Sequence, residues 1–157
     1  MTLTAMEILE RCRRAEGEKR RLKERADMIR DTAGHMTASL DGIGARSTGA
    51  GDRMVGLMAR LEEAEQALKR RDQEYTAEVA AACQLLDRLP PLECSVMSRF
   101  YVRGQSLRSI AADMGYSYSY VRARKSEGCR LLQQLGEGEV MRLLPYWYII
   151  EDEKRQR

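Results

Sequence analysis

Apolar residues in the first part of the chain fall at steps of three and four: Leu9, Cys12, Leu22, Ala26 and Ile29 stand among Glu, Lys and Arg between Leu3 and about Asp31. That spacing places them on one narrow face of an α-helix. Residues 34–51, GHMTASLDGIGARSTGAG, then hold five of the chain's twelve glycines together with Ser and Thr. Such a composition buries too little to offset the entropy of ordering and predicts a flexible loop. A second helix is expected from Asp52, a good N-cap, to Leu89, with Met54, Met58, Leu61, Leu68, Tyr75, Val79, Ala82, Leu86 and Leu89 at steps of four and three. Glu65 and Asp72 interrupt its seam. A helix of this length would span about 57 Å and needs a partner stripe to be stable in water. The partner is the first helix folded back as an antiparallel hairpin or a second copy of the chain. The pattern also admits a four-helix bundle.

Pro90 and Pro91 end the second helix, because proline removes a backbone donor and drives the preceding residue out of the α region. A shorter periodicity follows. PLECSVMSRFYV predicts a helix with Leu92, Val96, Met97 and Phe100 or Tyr101 inward, stopped by Gly104. Ser106 caps a short helix through Met114, Gly115 makes the turn, and Ser117 caps a longer helix from Tyr118 to about Leu135. The tail, EVMRLLPYWYIIEDEKRQR, reads as a short amphipathic helix, a break at Pro145, and an apolar cluster from Tyr146 to Ile150. That cluster either packs back on the domain or docks a partner protein. The expected organisation is all-α: a long coiled-coil-like hairpin over 1–89 with its loop at 34–51, a helix-turn-helix domain over 90–135, and a C-terminal tail over 136–157.

Composition narrows the class. Hydrophobic residues make up 43% and charged residues 32% of 157 positions, with one Phe and three Pro, which suits helices better than sheets. Cys12, Cys83, Cys94 and Cys129 lie far apart without a CxxC pair, and the one histidine, His35, stands in the glycine-rich stretch. This predicts reduced thiols and no metal site. The sequence shows no apolar leader and no run approaching the roughly 20 residues of a membrane span, so a cytoplasmic location is expected. Catalysis is not expected either. His35 has no partner at a readable spacing, Glu62–Glu63 is an ordinary solvated pair, and DGIGARSTGAG lacks the lysine and the preceding strand of a phosphate-binding loop. No cofactor is implied.

The functional signal lies in residues 107–126. A helix-turn-helix needs a small residue at the helix crossing, a turn residue able to take positive φ, and apolar residues facing the crossing. Ile110 and Ala111, Gly115, and Val121 supply these, with Met114 and Tyr116 flanking the turn. Arg124 departs from the pattern at a position that is usually apolar; its stem is expected to cover the core while its guanidinium reaches solvent or phosphate.

On these residues the segment LPPLECSVMSRFYVRGQSLRSIAADMGYSYSYVRARKSEGCRLL resembles region four of bacterial sigma factors. Leu89, Pro90, Glu93, Val96, Arg99, Tyr101, Gly104, Ser106, Ile110, Ala111, Gly115, Ser117, Val121 and Leu132 fall at that family's spacing. The resemblance covers under a third of the chain. Gly128 stands where the family usually has Ala, and Ser109 replaces the common Glu before Ile-Ala, so the family's standard promoter element is not carried over. The whole arrangement of charged hairpin, glycine-rich loop and sigma-like module is also similar to phage and prophage regulators of the ArpU type. That resemblance implies a transcriptional regulator of mobile-element genes.

Local charge agrees. Between Leu92 and Leu135 seven Arg or Lys face three acids, a net +4, against +3 for the whole chain. An electrostatic footprint on phosphate needs such a concentration, although a merely solvated basic helix would share it. In a helix-turn-helix the start of the second helix enters the major groove, which assigns base readout to Tyr118, Ser119, Arg122, Ala123 and Ser126, with Arg122 suited to guanine. Arg103, Gln105, Ser106, Arg108, Ser117, Tyr120, Arg124 and Lys125 are the candidates for the DNA backbone. Tyr120 equally suits packing at the crossing.

The expected partner is therefore double-stranded DNA, with RNA polymerase a further candidate through the sigma-like module and a homodimer through the hairpin one open arrangement. Residues 1–88 contain one aromatic, Tyr75, too few for the stacking platforms that capture melted promoter bases. A stand-alone sigma factor is not expected. Two other classes fit the same pattern: a DNA-packaging adaptor like a small terminase subunit, which would form rings, and a helical interaction protein that binds no DNA. The target sequence, the sign of regulation and the oligomeric state are not written in these patterns.

Overall fold

Thr4 and Glu7 open the first helix reciprocally: the Glu7 carboxylate accepts from the Thr4 backbone N–H at 2.8 Å, and Thr4 Oγ1 accepts from the Glu7 N–H at 3.2 Å. The bonds that the carboxylate accepts from the Thr4 N–H and hydroxyl hold the Glu7 carboxyl below its usual range, the backbone bond contributing most. The computed structural model describes residues 3–41 and 48–157. Its elements are α1 (Ala5–Asp41), α2 (Thr48–Leu86), α3 (Pro91–Met97) running into a π-helical turn (Ser98–Val102), α4 (Leu107–Met114), α5 (Tyr118–Gln133), α6 (Glu137–Leu143) and α7 (Tyr146–Arg155). No strand occurs among the described residues, and no helix there is long and apolar enough to cross a membrane.

The glycine-rich stretch 34–51 differs from the loop expected of it. α1 continues through Gly34 to Asp41 and α2 begins at Thr48, before Asp52; residues 42–47 lie outside the described residues. One exposed glycine costs a helix roughly 1 kcal/mol relative to Ala, too little to end it where no proline follows. Ala33 is buried beside it, and the Thr37 hydroxyl donates back to the Ala33 carbonyl at 2.9 Å.

Two compact units are formed, one by residues 18–73 and one by residues 1–17 with 74–157. In the first, α1 and α2 run antiparallel within the chain. Glu18 pairs with Arg71 at 3.2 Å, Lys19 with Asp72 at 3.5 Å and Arg30 with Glu65 at 2.7 Å. Glu65 and Asp72, which break the apolar register in the sequence, are thus cross-helix ion-pair partners. The core of this unit is small: Ala26, Leu61 and Ala64, with Ile29 against them.

In the second unit the N-terminal end of α1 and the C-terminal end of α2 share one core with the C-terminal helices. Ile8, Leu9 and Cys12 from α1 and Ala81, Ala82 and Leu85 from α2 are fully buried, and they cluster with Met97, Tyr101, Leu132, Val140 and Tyr148. α2 stops at Leu86, short of the expected Leu89, because Leu89 precedes Pro90 and is turned out of the helix. Pro91 then takes the first position of α3, where a missing N–H is harmless. The chain breaks its helix at Pro90, but the core continues across the break.

The tail is anchored to the same unit. Glu78 of α2 is 4% exposed; its carboxylate accepts from the Tyr148 hydroxyl and, at 3.1 Å, from Arg155. Arg11 of α1 reaches Asp152 at 2.6 Å. Tyr148 faces the core, whereas Tyr146 and Trp147 face outward.

Candidate nucleic-acid interface

Two serines and a glycine set the geometry. Ser106, extended at φ −74°, ψ 155°, caps α4 by accepting from the Ser109 N–H at 3.1 Å. Ser117 does the same for α5, accepting from the Tyr120 N–H at 3.2 Å. Between them Gly115 takes φ 73°, ψ 27°, the left-handed conformation that ends α4, and both it and Tyr116 donate their N–H to the Ala111 carbonyl. The two helices close on Ile110, Ala111 and Val121, with Val96 from α3 and the edges of Phe100, Leu107 and Met114. At the far end Gly128 of α5 lies against Met97 of α3; a Cβ there would stand 2.8 Å from Met97 Cγ.

With Val121 inward, α5 turns Tyr118, Ser119, Arg122, Ala123 and Ser126 outward, and all five are exposed. Their spacing makes them one face of the helix, the one opposite the crossing. The expected base-reading set is therefore brought together on one surface.

The residues expected on the DNA backbone divide into two groups. Arg103, Ser106, Arg108, Ser117 and Tyr120 are exposed in the π-turn exit, at the two cap positions and in the first turns of α4 and α5. Tyr120 lies against Tyr116, ring centroids 4.8 Å apart and planes tilted by 39°, and the Arg124 guanidinium lies 5.4 Å from its ring. Gln105, Arg124 and Lys125 are engaged elsewhere. Gln105 donates its amide to Asp113 at 3.0 Å, a carboxylate that Arg99 also approaches at 3.7 Å. Arg124 places Nη1 2.8 Å from the Glu93 carboxylate instead of in open solvent. Lys125 sets its ammonium 4.6 Å from the Phe100 ring and 5.6 Å from that of Tyr101.

Three residues outside the sequence-derived set hold the domain in this shape. Glu93, buried in the first turn of α3, receives Arg124. Arg13 of α1 lies over the Phe100 ring at 3.8 Å and donates to the Phe100 carbonyl. Tyr75 of α2 donates its hydroxyl to the Val102 carbonyl at 2.8 Å. Arg13 and Tyr75 thereby satisfy carbonyls in the π turn, where regular i→i+4 pairing has lapsed. Glu93 had a local signal, an acid in the first turn of a helix. The other two had none, since their partners are distant in sequence.

The geometry is that of a helix-turn-helix, and the family comparison agrees: residues 85–134 match the family model for sigma-70, region 4. No curated protein and no solved structure gave a match. Residues 85–134 are a sigma region 4-like helix-turn-helix, a DNA-binding type of domain.

Proposed function

We propose that this protein is a sequence-specific DNA-binding transcriptional regulator that inserts the first turns of α5 into the major groove. One observation carries the reading: the caps, the Gly115 turn and the Val121 crossing present Tyr118, Ser119, Arg122, Ala123 and Ser126 together on one exposed face. Arg122 is the side chain with the reach and the fork geometry for guanine N7 and O6. Arg103, Ser106, Arg108, Ser117 and Tyr120 flank that face and serve as phosphate contacts that set the docking angle. Gln105, Arg124 and Lys125 support it from behind through Asp113, Glu93 and Phe100.

The sigma-like domain also supports a contact with RNA polymerase, and the hairpin-plus-module layout supports a role in phage or mobile-element gene control. A homodimer through the hairpin would place two half-sites about one helical turn, or a multiple of it, apart. Selection of duplexes from a random pool by the full chain tests the reading. One enriched motif is expected, paired if the chain dimerises; a pool that stays random contradicts it.

A further inference from the structure

We propose that the hairpin carries a second, sequence-independent contact region for the phosphate backbone of duplex DNA, a belt of cations round residues 19–25 of α1 and 66–72 of α2. The segments KRRLKER and QALKRRD contain eight cations against Glu24 and Asp72, a net +6, or +5 once Glu18, the partner of Arg71, is counted, whereas the whole chain carries +3. The sequence separates these runs by about forty residues, and the fold sets them side by side. Glu18 meets Arg71, Lys19 meets Asp72, and Leu22 and Arg25 share a shallow cleft with Ala64 and Ala67.

Arg21, Lys23, Arg25, Lys69 and Arg70 are exposed, and none of them takes part in an ion pair among the described residues. Arg30, further along α1 in the same unit, by contrast holds both Asp27 and Glu65. A band of like charge weakens the helices that bear it, since like charges one turn apart repel. It also suits a polyanion such as duplex DNA, which releases its condensed counterions as the cations neutralise its phosphates.

The chemistry of the band selects the kind of partner. Protein interfaces have an apolar centre that is depleted in charge. Here the exposed positions among the cations are Glu24, Gln66 and Asp72, and Leu22, Ala67 and Leu68 are turned partly inward. A wet, polar, cationic surface matches phosphate. This surface does not depend on α5 reading a sequence, so the two readings succeed or fail separately.

The test is the salt dependence of full-length protein binding to a random-sequence duplex, followed by fluorescence anisotropy. Replacing Arg21, Lys23, Arg25, Lys69 and Arg70 together by Gln keeps helix-forming side chains and removes the charge. The slope of log K against log salt is expected to become shallower by about 0.9 for each phosphate that is no longer neutralised, about 2 to 4 in all. The charge-preserving variant Arg21→Lys/Arg25→Lys/Arg70→Lys is expected to keep the original slope. A Gln variant with the wild-type slope overturns the proposal and leaves the band to an acidic protein or to solvent. Equal loss in the Gln and Lys variants overturns it too, because the residues would then act through structure. An Arg108→Ala/Arg122→Ala variant measured alongside reports on the helix-turn-helix alone. Loss there with an unchanged Gln variant sinks the band and spares the helix-turn-helix, and the opposite pattern does the reverse.

Discussion

Arg124 and Glu93 meet at 2.8 Å between α5 and α3, the Glu93 side chain 8% exposed and the Arg124 side chain 33%. The pair explains how a helix-turn-helix accommodates an arginine where an apolar residue is usual. The guanidinium of Arg124 lies 5.4 Å from the Tyr120 ring, and its charge is answered by an acid from α3. α5 is thereby tied to α3 on the side away from its exposed face.

Removing one partner strands the other charge. Arg124→Leu and Glu93→Leu are each expected to destabilise the protein by about 2 kcal/mol, below the roughly 3–5 kcal/mol of a fully buried pair because the Arg124 side chain is partly exposed. Glu93→Leu/Arg124→Leu should recover much of that loss, since both charges leave together. Urea unfolding of the single and double variants measures this. A double variant as unstable as the sum of the singles would show that the pair has no coupling.

Two glycines make separable predictions. At Gly115 a side chain meets open space, but φ is +73°, so Gly115→Ala is expected to cost about 1–2 kcal/mol from backbone strain alone and Gly115→Asn less. At Gly128 the obstacle is Met97, whose Cγ and Sδ would lie 2.8 and 3.2 Å from a new Cβ. Gly128→Ala should cost about 1–3 kcal/mol by overpacking, and truncating Met97 in the same chain should cost less than the two changes summed. Additive losses in thermal unfolding would contradict close packing of α3 on α5.

What could be read from the sequence depended on the range of the interaction. Ser106, Gly115 and Ser117 act on backbone groups within a few residues, so the bounds of α4 and the start of α5 are legible from residue type. The outward face of α5 follows from helical spacing once Val121 is placed inside. Interactions between distant segments are not legible in this way. Glu65 and Asp72 look like interruptions because their cations lie on α1, and Arg124 and Lys125 look like phosphate ligands because Glu93 and Phe100 lie on other elements. The continuation of α1 beyond Gly34 cannot be read from glycine content, because the buried Ala33 beside it favours the helix. In the tail, what separates Tyr148 from its neighbours Tyr146 and Trp147 is Glu78, seventy residues earlier, which receives its hydroxyl.

Cys12 supplies a pH prediction. Burial, with Glu78 adding to it, pushes the thiol up from 9.0 to about 12. The folded state therefore holds its proton more tightly than the unfolded state. The resulting stabilisation is complete below about pH 9 and is lost as pH rises from there toward 12. In native protein near neutral pH the exposed Cys83 should react with an alkylating reagent well before Cys12, which should react only as fast as the protein unfolds. Equal labelling rates, read by mass spectrometry of peptides, would contradict the burial of Cys12 between α1 and α2.

The measurement closest to the central claim compares the full chain and Arg122→Ala on a selected duplex and on a random one. Readout by Arg122 predicts a loss of about 1–3 kcal/mol on the selected site with little change on random DNA, whereas Arg108→Ala weakens both alike and flattens the salt slope. Identical losses for Arg122→Ala on both duplexes would contradict base reading by the exposed face of α5.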